Sequence, residues 1–456
     1  METIFITGGT AAAVPIWFVT AANYAEVRER LAAGARAFAD AAGFDPKPGQ
    51  FLALPGQGGL GGILFGLEDA AEAKDLFLAG RLPQQLPAGV YRFANDPHDA
   101  RLAALAFALG SYGFSRYRKA ERREVRLVPP QSVDRDDIER IVEAVTLARD
   151  LINTPANDMG PAQLEHAARK LASRHAATIN AVAGEELEKG FPLIHAVGRA
   201  SERAPRLIDL MWGETEHPRV TLVGKGVCFD SGGLDIKPDA SMLNMKKDMG
   251  GAATALALAH MVMSRHLKVR LRVVIPAVEN AVSGSAFRPR DVYTSRKGIT
   301  VEIGNTDAEG RLILADALAL ADEDKPALLV DFATLTGAAR VALGPDVPAL
   351  FTDDDELAGA LLAQAAAEND PLWRMPLWRP YEAMLESKVA DVNNVGSGGQ
   401  AGAITAALFM RRFVTVKSWA HIDLFAWTPT AKPGRPEGGE CQAARALYAL
   451  LAQRYG

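Results

Sequence analysis

The chain has 456 residues, of which 48% are hydrophobic and 23% are charged, a composition typical of a globular protein with a large core, which excludes a disordered or fibrous chain. Its formal net charge of −5 provides no global positive field that would hold nucleic acid or an anionic membrane. The two cysteines, Cys228 and Cys441, are too few for a disulfide framework or an all-cysteine zinc module, so that a metal would need oxygen or nitrogen ligands.

The first third of the chain is predicted to form a small α/β domain over residues 1–133. Its start has no basic run, and Pro15 interrupts its apolar stretch, so that it resembles neither a signal peptide nor a membrane-spanning helix, and we expect a cytoplasmic protein with no membrane partner. An alanine-rich stretch over 24–42 is typical of a helix. Two apolar runs then flank the segment 55–62, whose glycine spacing matches a dinucleotide-binding fingerprint. Strand-like residues follow it, and we favour a glycine-rich hairpin.

The second domain is predicted over residues 134–456 and begins with a linking helix over 134–152, whose apolar residues recur at three- and four-residue spacing. Strand-like runs then alternate with helical ones. The predicted strands are 219–224, 269–278, 299–304 and 327–335, and the predicted helices lie near 251–264 and 309–323. Because these strands are apolar enough to be buried on both faces, we predict a three-layer α/β/α domain with a central, mostly parallel sheet.

Ionisable side chains gather just after the predicted strands, where open α/β sheets bind their ligands. The carboxylates at these positions are Asp230, Asp248, Asp307 and Glu309. Four acids at apolar sheet ends would repel one another and raise each other's pKa unless cations neutralised them. Two divalent cations supply the matching charge, so that the pattern predicts a two-metal site for Mn²⁺, Mg²⁺ or Zn²⁺. The two-residue spacing of Asp307 and Glu309 would place both side chains on one side of an extended segment.

Some of these features have structural interpretations when they are taken one at a time. An acid after a strand is more often a helix cap, and the glycine pairs at 232–233 and 250–251 could be simple turns. The acids, the nearby lysines and the glycines occur together, however, and this favours a functional site. His421 and Asp423, two residues apart in an apolar strand, are interpreted as structural residues, half-buried and with satisfied hydrogen bonds, rather than as metal ligands.

Several segments resemble the leucyl aminopeptidase family, the M17-type cytosolic metallopeptidases. The segments that resemble it are NTPAN (153–157), GKGVCFDSGG (224–233), IKP (236–238), MKKDMGGAA (245–253), NTDAEGRL (305–312), ATLTGA (333–338) and GAITAALF (402–409). NTDAEGRL is the family's signature octapeptide, and all the segments stand in the family's order. The resemblance implies a metal-dependent aminopeptidase that removes leucine and similar first residues from peptides with a free N-terminus.

The resemblance also implies a role for each matching residue. The metal ligands would be Lys225, Asp230, Asp248, Asp307 and Glu309, the catalytic residues Lys237 and Arg311, and the substrate-binding residues Met245, Asn305, Thr334, Leu335 and Gly337. Two divalent cations, Mn²⁺ or Zn²⁺, would activate a bridging water as the nucleophile. Lys237 would polarise the scissile carbonyl, and Arg311 would hold a bicarbonate ion that acts as general base. The assembly that the family implies is a homohexamer, a dimer of trimers.

Two other functions stay open at this point. Another two-metal hydrolase, such as a phosphoesterase, would use the same carboxylates. It would require more cationic groups to bind the phosphate oxygens and would not need a lysine ligand. A non-catalytic scaffold or DNA-binding homologue is suggested by the basic stretch 115–126, for which we favour a solvated face or a subunit contact over DNA. The presence of all five expected ligands, of Lys237 and of Arg311 argues against a loss of catalysis.

Overall fold

The structure is a computed structural model, in which the chain divides into two compact units. The described residues are 4–6, 12–69, 75–118 and 124–456. The first unit comprises residues 1–146 with 430–437, and the second comprises 147–429 with 438–456. Helix α5 (Arg135–Asn153) begins in the first unit and ends in the second. Residues 119–123 of the predicted basic stretch lie outside the described residues.

The first unit contains a five-stranded sheet and short helices. Its strands are β1 (Val14–Val19), β2 (Phe51–Gly56), β3 (Gly59–Gly66), β4 (Gly89–Phe93) and β5 (Val125–Val128), and its helices before α5 are α1 (Tyr24–Arg30), α2 (Ala33–Ala41), α3 (Leu82–Gln85) and α4 (Ala100–Gly110). The strand order is β2-β3-β1-β4-β5. β2 and β3 pair antiparallel, so that the predicted hairpin is confirmed. The stretch predicted as one helix is two helices, because Leu31 and Ala32 take extended dihedral angles.

The second unit contains the remaining elements. Its helices are α6 (Pro161–Arg174), α7 (Gly184–Gly190), α8 (Pro192–Gly198), α9 (Asp239–Met242), α10 (Gly250–Ser264), α11 (Glu309–Glu323), α12 (Gly337–Leu343), α13 (Asp355–Ala367), α14 (Gly402–Arg411) and α15 (Ala444–Tyr455). Its strands are β6 (Thr178–Ala183), β7 (Arg206–Trp212), β8 (Arg219–Gly224), β9 (Gly226–Asp230), β10 (Arg270–Asn280), β11 (Val292–Thr294), β12 (Thr300–Glu302), β13 (Leu328–Ala333), β14 (Ala349–Phe351), β15 (Trp373–Arg374), β16 (Val392–Asn393), β17 (Trp419–Asp423), β18 (Trp427–Thr428) and β19 (Gly438–Gly439).

The central sheet of the second unit has a parallel middle and antiparallel margins. The order is β15-β14-β17-β13-β8-β10-β7-β6, with β9 also paired to β10. The neighbours from β17 to β10 are parallel, whereas β14 is antiparallel to β17 and β7 is antiparallel to β10 and β6. Helix α11 packs on the sheet with α8 and α14, and α10 packs on it with α15. The predicted α/β architecture with a mostly parallel central sheet is confirmed.

One predicted strand lies in a different sheet. The runs at 219–224, 269–278 and 327–335 are β8, β10 and β13 of the central sheet, but the run at 299–304 is the short strand β12, which pairs with β11 and β16 in a separate three-stranded sheet. An apolar run indicates a buried strand without specifying its partners, and the expectation of a central strand here was therefore wrong. No helix among the described ranges is long and apolar enough to cross a lipid bilayer.

Candidate metal centre

The strands in the parallel middle of the central sheet end at one edge, and a cavity opens there. Because β8, β13 and β17 run parallel as neighbours, the segments that follow them meet at this edge. The cavity has a volume of about 520 Å³ and is lined by these segments and by the 3-10 turn Met245–Met249, which precedes α10. This is the position at which open α/β sheets bind ligands.

The five predicted metal ligands all line this cavity, and only Asp307 and Glu309 belong to one short segment. Lys225 lies between β8 and β9, and Asp230 is the last residue of β9. Asp248 belongs to the 3-10 turn, and Glu309 is the first residue of α11. These four residues are buried, whereas the Asp307 side chain is 31% exposed. The structure thus brings together side chains that are far apart in the sequence.

Lys225 occupies the buried side of the site. Its Nζ lies 2.8 Å from Asp248 Oδ2 and 3.0 Å from Glu309 Oε1, and it donates a hydrogen bond of 3.1 Å to the carbonyl oxygen of Thr334. Burial alone would lower the pKa of Lys225, but the attraction of Asp248 and Glu309 outweighs it and raises the pKa above its ordinary value. Next to these carboxylates Lys225 is an ammonium ion, and it would act as a metal ligand after losing a proton, which adjacent dications would favour.

Lys237 occupies the more open side of the site. Its Nζ lies 2.7 Å from Asp230 Oδ2 and also contacts Asp307 Oδ1. Burial opposes the charge on Lys237, but the negative charges of Asp230 and Glu309 outweigh this effect, so that its pKa is raised. Lys237 is therefore a stable cation at neutral pH that points into a cluster of acids.

The acids of the site differ in how readily they ionise. Burial, together with repulsion by Asp230, raises the pKa of Glu309 to about 8. Burial and repulsion by Asp248 raise the pKa of Asp230 to about 6. Burial would also raise the pKa of Asp248, but the charges of Lys225 and Lys247 outweigh it, and this pKa is lowered. Glu309 is thus the acid of the cluster whose ionisation is most opposed by its surroundings, and a bound cation would favour loss of its proton.

Several buried carboxylate oxygens of the cluster have no hydrogen-bond donor among the described residues. They are Asp248 Oδ2, Asp307 Oδ1 and both Oε atoms of Glu309. Lysine ammonium groups lie near three of these four oxygens at ion-pair distance, but without hydrogen-bond geometry. One oxygen each of Asp230, Asp307 and Glu309 lie within 4.8 Å of one another. Buried, convergent oxygens without donors are ligands that hard divalent cations prefer, so that these residues fit a metal site.

Asp307 and Glu309 converge through a turn and not along an extended segment. Strand β12 ends at Glu302, residues 305–308 form a turn, and α11 begins at Glu309. The predicted extended conformation was therefore wrong, although both side chains reach the same cluster. Asn305, a predicted substrate-binding residue, is not among the residues that line the cavity. Its Oδ1 accepts a hydrogen bond of 2.7 Å from the Asp307 backbone N–H and stabilises the turn.

Arg311 lies in the first turn of α11 and is buried. Its Nη1 donates a hydrogen bond of 2.6 Å to the carbonyl oxygen of Asn394, while its Nε has no hydrogen-bond partner among the residues that the structure describes. Burial lowers the pKa of Arg311 to about 10, so that it stays charged at neutral pH. The unused donor is compatible with a small bound anion, but Arg311 is not among the residues that line the cavity.

The other four predicted substrate-binding residues, Met245, Thr334, Leu335 and Gly337, all line the cavity. Thr334 also has a second contact, because its Oγ1 lies 2.7 Å from Asp248 Oδ1 and donates to it. This hydroxyl therefore orients a predicted metal ligand. Gly337 is the first residue of α12. No atom lies within 4 Å of the position that a Cβ would take there, so that the cavity wall is open beside this residue.

The sequence analysis did not identify two asparagines that lie near the site. Asn280 Nδ2 donates a hydrogen bond of 2.9 Å to Asp230 Oδ1. Asn394 Oδ1 accepts from the Gly304 N–H at 2.7 Å, and its Nδ2 donates to the carbonyl oxygen of Asn305 at 2.8 Å. Asn280 ends β10 at the same sheet edge, so that its position at the end of a strand could have identified it as a site residue. Asn394 follows the two-residue strand β16, for which the sequence has no recognisable pattern.

Glycines allow the backbone segments of the site to approach each other. A Cβ on Gly251 would lie 2.1 Å from the carbonyl oxygen of Phe332, and a Cβ on Gly310 would lie 2.7 Å from Lys225 Nζ. Gly232 and Gly233 have φ values of 89° and 67°, a region that side chains disfavour. Close approach and positive φ thus account for these glycines beside the cluster.

The residues His421 and Asp423 are both buried in β17 and make structural hydrogen bonds. His421 Nδ1 lies 2.6 Å from Asp331 Oδ1. Asp423 accepts from the backbone N–H of Leu335 at 3.0 Å and from Thr336 Oγ1 at 2.5 Å. Asp423 therefore holds the segment after β13 against the cavity. Both residues are fully buried rather than half-buried, and His421 Nε2 has no hydrogen-bond partner among the described residues, so that the expected satisfied hydrogen bonding holds only in part for His421.

Two family models together match most of the chain. Residues 146–448 match the model for the cytosol aminopeptidase family, catalytic domain, and residues 14–130 match that for the M17 aminopeptidase, N-terminal domain. A curated protein of Roseiflexus castenholzii, described as a probable cytosol aminopeptidase, is 42% identical over 362 residues, which cover 75% of this chain and 74% of that protein.

Two solved structures are similar over almost the full length. The crystal structure of a cytosol aminopeptidase from Coxiella burnetii is 46% identical in sequence with a TM-score of 0.95, covering 99% of this chain and 100% of that chain. The bottromycin maturation enzyme BotP in complex with Mn is 34% identical with a TM-score of 0.87, covering 97% of this chain and 99% of that chain.

Proposed function

The chain belongs to the cytosol aminopeptidase family, and from this premise we propose that it is a two-metal aminopeptidase that removes leucine and similar first residues from peptides. The family is metal-dependent and acts on peptides. The observation that carries the proposal is the group of buried carboxylate oxygens that line the cavity and have no hydrogen-bond donor among the described residues. Four carboxyl groups face only two lysine side chains at ion-pair distance in the described part of the chain, and divalent cations would balance the charge of such a cluster when all four are ionised.

We assign the ligands of the two cations to one lysine and four acids. They are Lys225, Asp230, Asp248, Asp307 and Glu309. When bound, two divalent cations would lower the pKa of a water molecule and polarise a carbonyl group. Mn²⁺ is the cation named with the similar enzyme BotP, and it suits oxygen ligands, while Zn²⁺ is the alternative. Thr334 and Asn280 would orient Asp248 and Asp230 through the hydrogen bonds described above, since ligand carboxylates need such support.

Two cationic side chains would serve the reaction. Lys237, which already points into the cluster, would donate a hydrogen bond to the scissile carbonyl oxygen and stabilise the negative charge that develops there. Arg311 would hold bicarbonate through its unused Nε donor, and bicarbonate would supply a general base near the attacking water. These roles explain how the site works without a histidine base.

The cavity wall would receive the first residue of the peptide. Met245 and Leu335 provide apolar surface there, which suits a leucine side chain. The free α-amine would face the acidic cluster, so that an internal peptide bond, which has no adjacent amine, would bind poorly. We also carry over from the family resemblance a homohexameric assembly and a cytoplasmic location.

The requirement for the amine gives the test. Protein reconstituted with Mn²⁺ is expected to hydrolyse leucine p-nitroanilide. The kcat/KM for the N-acetylated substrate should be lower by at least about 100-fold, because the acetylated amine would lose its contact with the metal site. Chelation should remove the activity, and added Mn²⁺ or Zn²⁺ should restore it.

Two controls separate the alternatives. Hydrolysis of p-nitrophenyl phosphate at a rate similar to that of the leucine substrate would favour a phosphoesterase. Equal hydrolysis of the free and the acetylated substrates would contradict an aminopeptidase, and no hydrolysis of any free-amine peptide by metal-loaded protein would favour a non-catalytic homologue.

A further inference from the structure

Two cationic side chains of the cavity wall take no part in the site described above. Lys247 is only 5% exposed and Arg340 is exposed, and both line the cavity. Neither side chain has a hydrogen-bond or ion-pair partner among the residues that the structure describes. Burial of the Lys247 side chain is costly, and the charge of the adjacent Asp248 offsets this cost only in part.

The charged groups of these two side chains lie over the same aromatic ring. The Lys247 Nζ and the Arg340 Cζ are each 5.0 Å from the centroid of the Phe425 ring. Lys247 comes from the 3-10 turn before α10, Arg340 from the last turn of α12, and Phe425 from the segment after β17. Three separate segments therefore bring two positive charges together, and stacking on the ring holds them in place although their charges repel.

Asp248 attracts the adjacent Lys247 electrostatically, but no carboxylate among the described residues lies at ion-pair distance from Lys247 or Arg340. Asp248 and Glu309 lie at ion-pair distance from Lys225, and Asp230 and Asp307 from Lys237. The carboxylate of Asp423 accepts hydrogen bonds from the segment 335–336. The positive charge at Phe425 is thus left for a group that enters the cavity from outside.

We propose that Lys247 and Arg340 form a cationic subsite that binds a carboxylate of the substrate. The proposal rests on the proposed peptidase function and extends it to the substrate class. A guanidinium presents paired donors that match a carboxylate, and an ammonium beside it adds a second charge. In a peptide this carboxylate has two sources, the side chain of a glutamate or aspartate at the N-terminus and the C-terminal carboxylate of a short peptide.

Pairs of substrates that differ in this one charge test the subsite. Glutamate p-nitroanilide is compared with glutamine p-nitroanilide for the side chain, and Leu-Gly is compared with Leu-Gly amide for the C-terminus. The variants are Lys247→Met and Arg340→Met, which keep an apolar stem on Phe425. The matched control is Lys246→Met, because Lys246 is the neighbouring lysine but donates to the carbonyl oxygen of Asn153 at 2.8 Å and does not line the cavity.

The expected result is a fall of about ten-fold or more in the kcat/KM ratio of charged to neutral substrate in at least one pair, for both cavity variants. The same ratio should stay within about two-fold of the original in Lys246→Met. The pair that responds identifies the source of the carboxylate. Ratios in both pairs that do not change in the cavity variants, or that change equally in the control, would overturn the proposal.

Binding separates this proposal from the proposed hydrolysis. If the metal-loaded protein hydrolyses none of these compounds, calorimetric titration with glutamate against glutamine, and with Leu-Gly against Leu-Gly amide, still reports the subsite. Tighter binding of the charged member that is lost in Lys247→Met supports the subsite even when the peptidase activity fails. Equal binding of both members in each pair overturns it.

Discussion

Replacing Glu309 by glutamine is expected to lower kcat/KM for leucine p-nitroanilide by more than about 100-fold, since the loss of a residue that merely supports a ligand already costs about 10- to 100-fold. Glu309 is buried, and neither of its carboxylate oxygens has a hydrogen-bond donor among the described parts of the chain. Glutamine keeps the size of the side chain but removes the charge that would hold a cation. The steady-state rate at saturating Mn²⁺ measures this effect.

The same change is expected to stabilise the metal-free protein. The pKa of Glu309 is raised in the folded state to about 8 from an ordinary value of 4.5. A carboxyl group with a raised pKa destabilises the folded state as the pH rises from its ordinary pKa of 4.5 toward its folded-state pKa of about 8. Below pH 4.5 it has no such effect. The melting temperature of Glu309→Gln should therefore exceed that of the original protein at pH 8, and the difference should shrink toward pH 5.

The opposite signs of the two effects make the Glu309→Gln variant informative. A structural residue would lower the stability of the metal-free protein when it is replaced, at every pH. An activity within ten-fold of the original, or a loss of stability in the chelated protein at pH 8, would contradict the assignment of Glu309 as a metal ligand.

Replacing Gly251 by alanine is expected to lower the free energy of unfolding by about 3 kcal/mol or more, or to prevent folding. The added Cβ would lie 2.1 Å from the carbonyl oxygen of Phe332 and 2.9 Å from the backbone nitrogen of Lys225. Both are backbone atoms, of β13 and of the segment after β8, and cannot move without disturbing the parallel pairing of the sheet. Equilibrium unfolding in urea measures the loss.

Gly359 is the matched control for Gly251. It lies inside α13, is exposed, and has no atom within 4 Å of the position that a Cβ would take. Gly359→Ala should therefore stabilise the protein by about 0.5 to 1 kcal/mol, which is the helix preference for alanine over glycine. If the two variants had the same stability, close approach at Gly251 would not be the reason for its glycine.

The sequence predicted the architecture of the second unit well because its strands are long and apolar and its site residues follow them directly. β8, β10 and β13 were predicted to within a few residues, and the four acids do line one cavity, although only Asp230 follows one of these three strands. The prediction failed for the run at 299–304, because three paired residues in a small sheet have the same apolar pattern as a central strand. The prediction of an extended conformation at 307–309 was wrong because a turn leads directly into α11.

Other features of the site depend on contacts that no sequence pattern contains. The hydroxyl of Thr334 reaches Asp248, although the sequence suggested a role toward substrate alone. Lys247 had no interpretation in the sequence, since the residues that surround it, Arg340 and Phe425, belong to distant segments. Short-range spacing predicts which residues share a segment, while the side chains that orient a ligand or line a cavity are set by the tertiary fold.

The number of cations that activity requires tests the central claim most directly. Chelator-stripped protein is titrated with Mn²⁺, and the initial rate for leucine p-nitroanilide is recorded against the Mn²⁺ bound per chain. The two-metal account predicts that the rate reaches its plateau at two bound ions per chain, and that Glu309→Gln does not reach it. Full activity with a single bound ion, or with none, would contradict it.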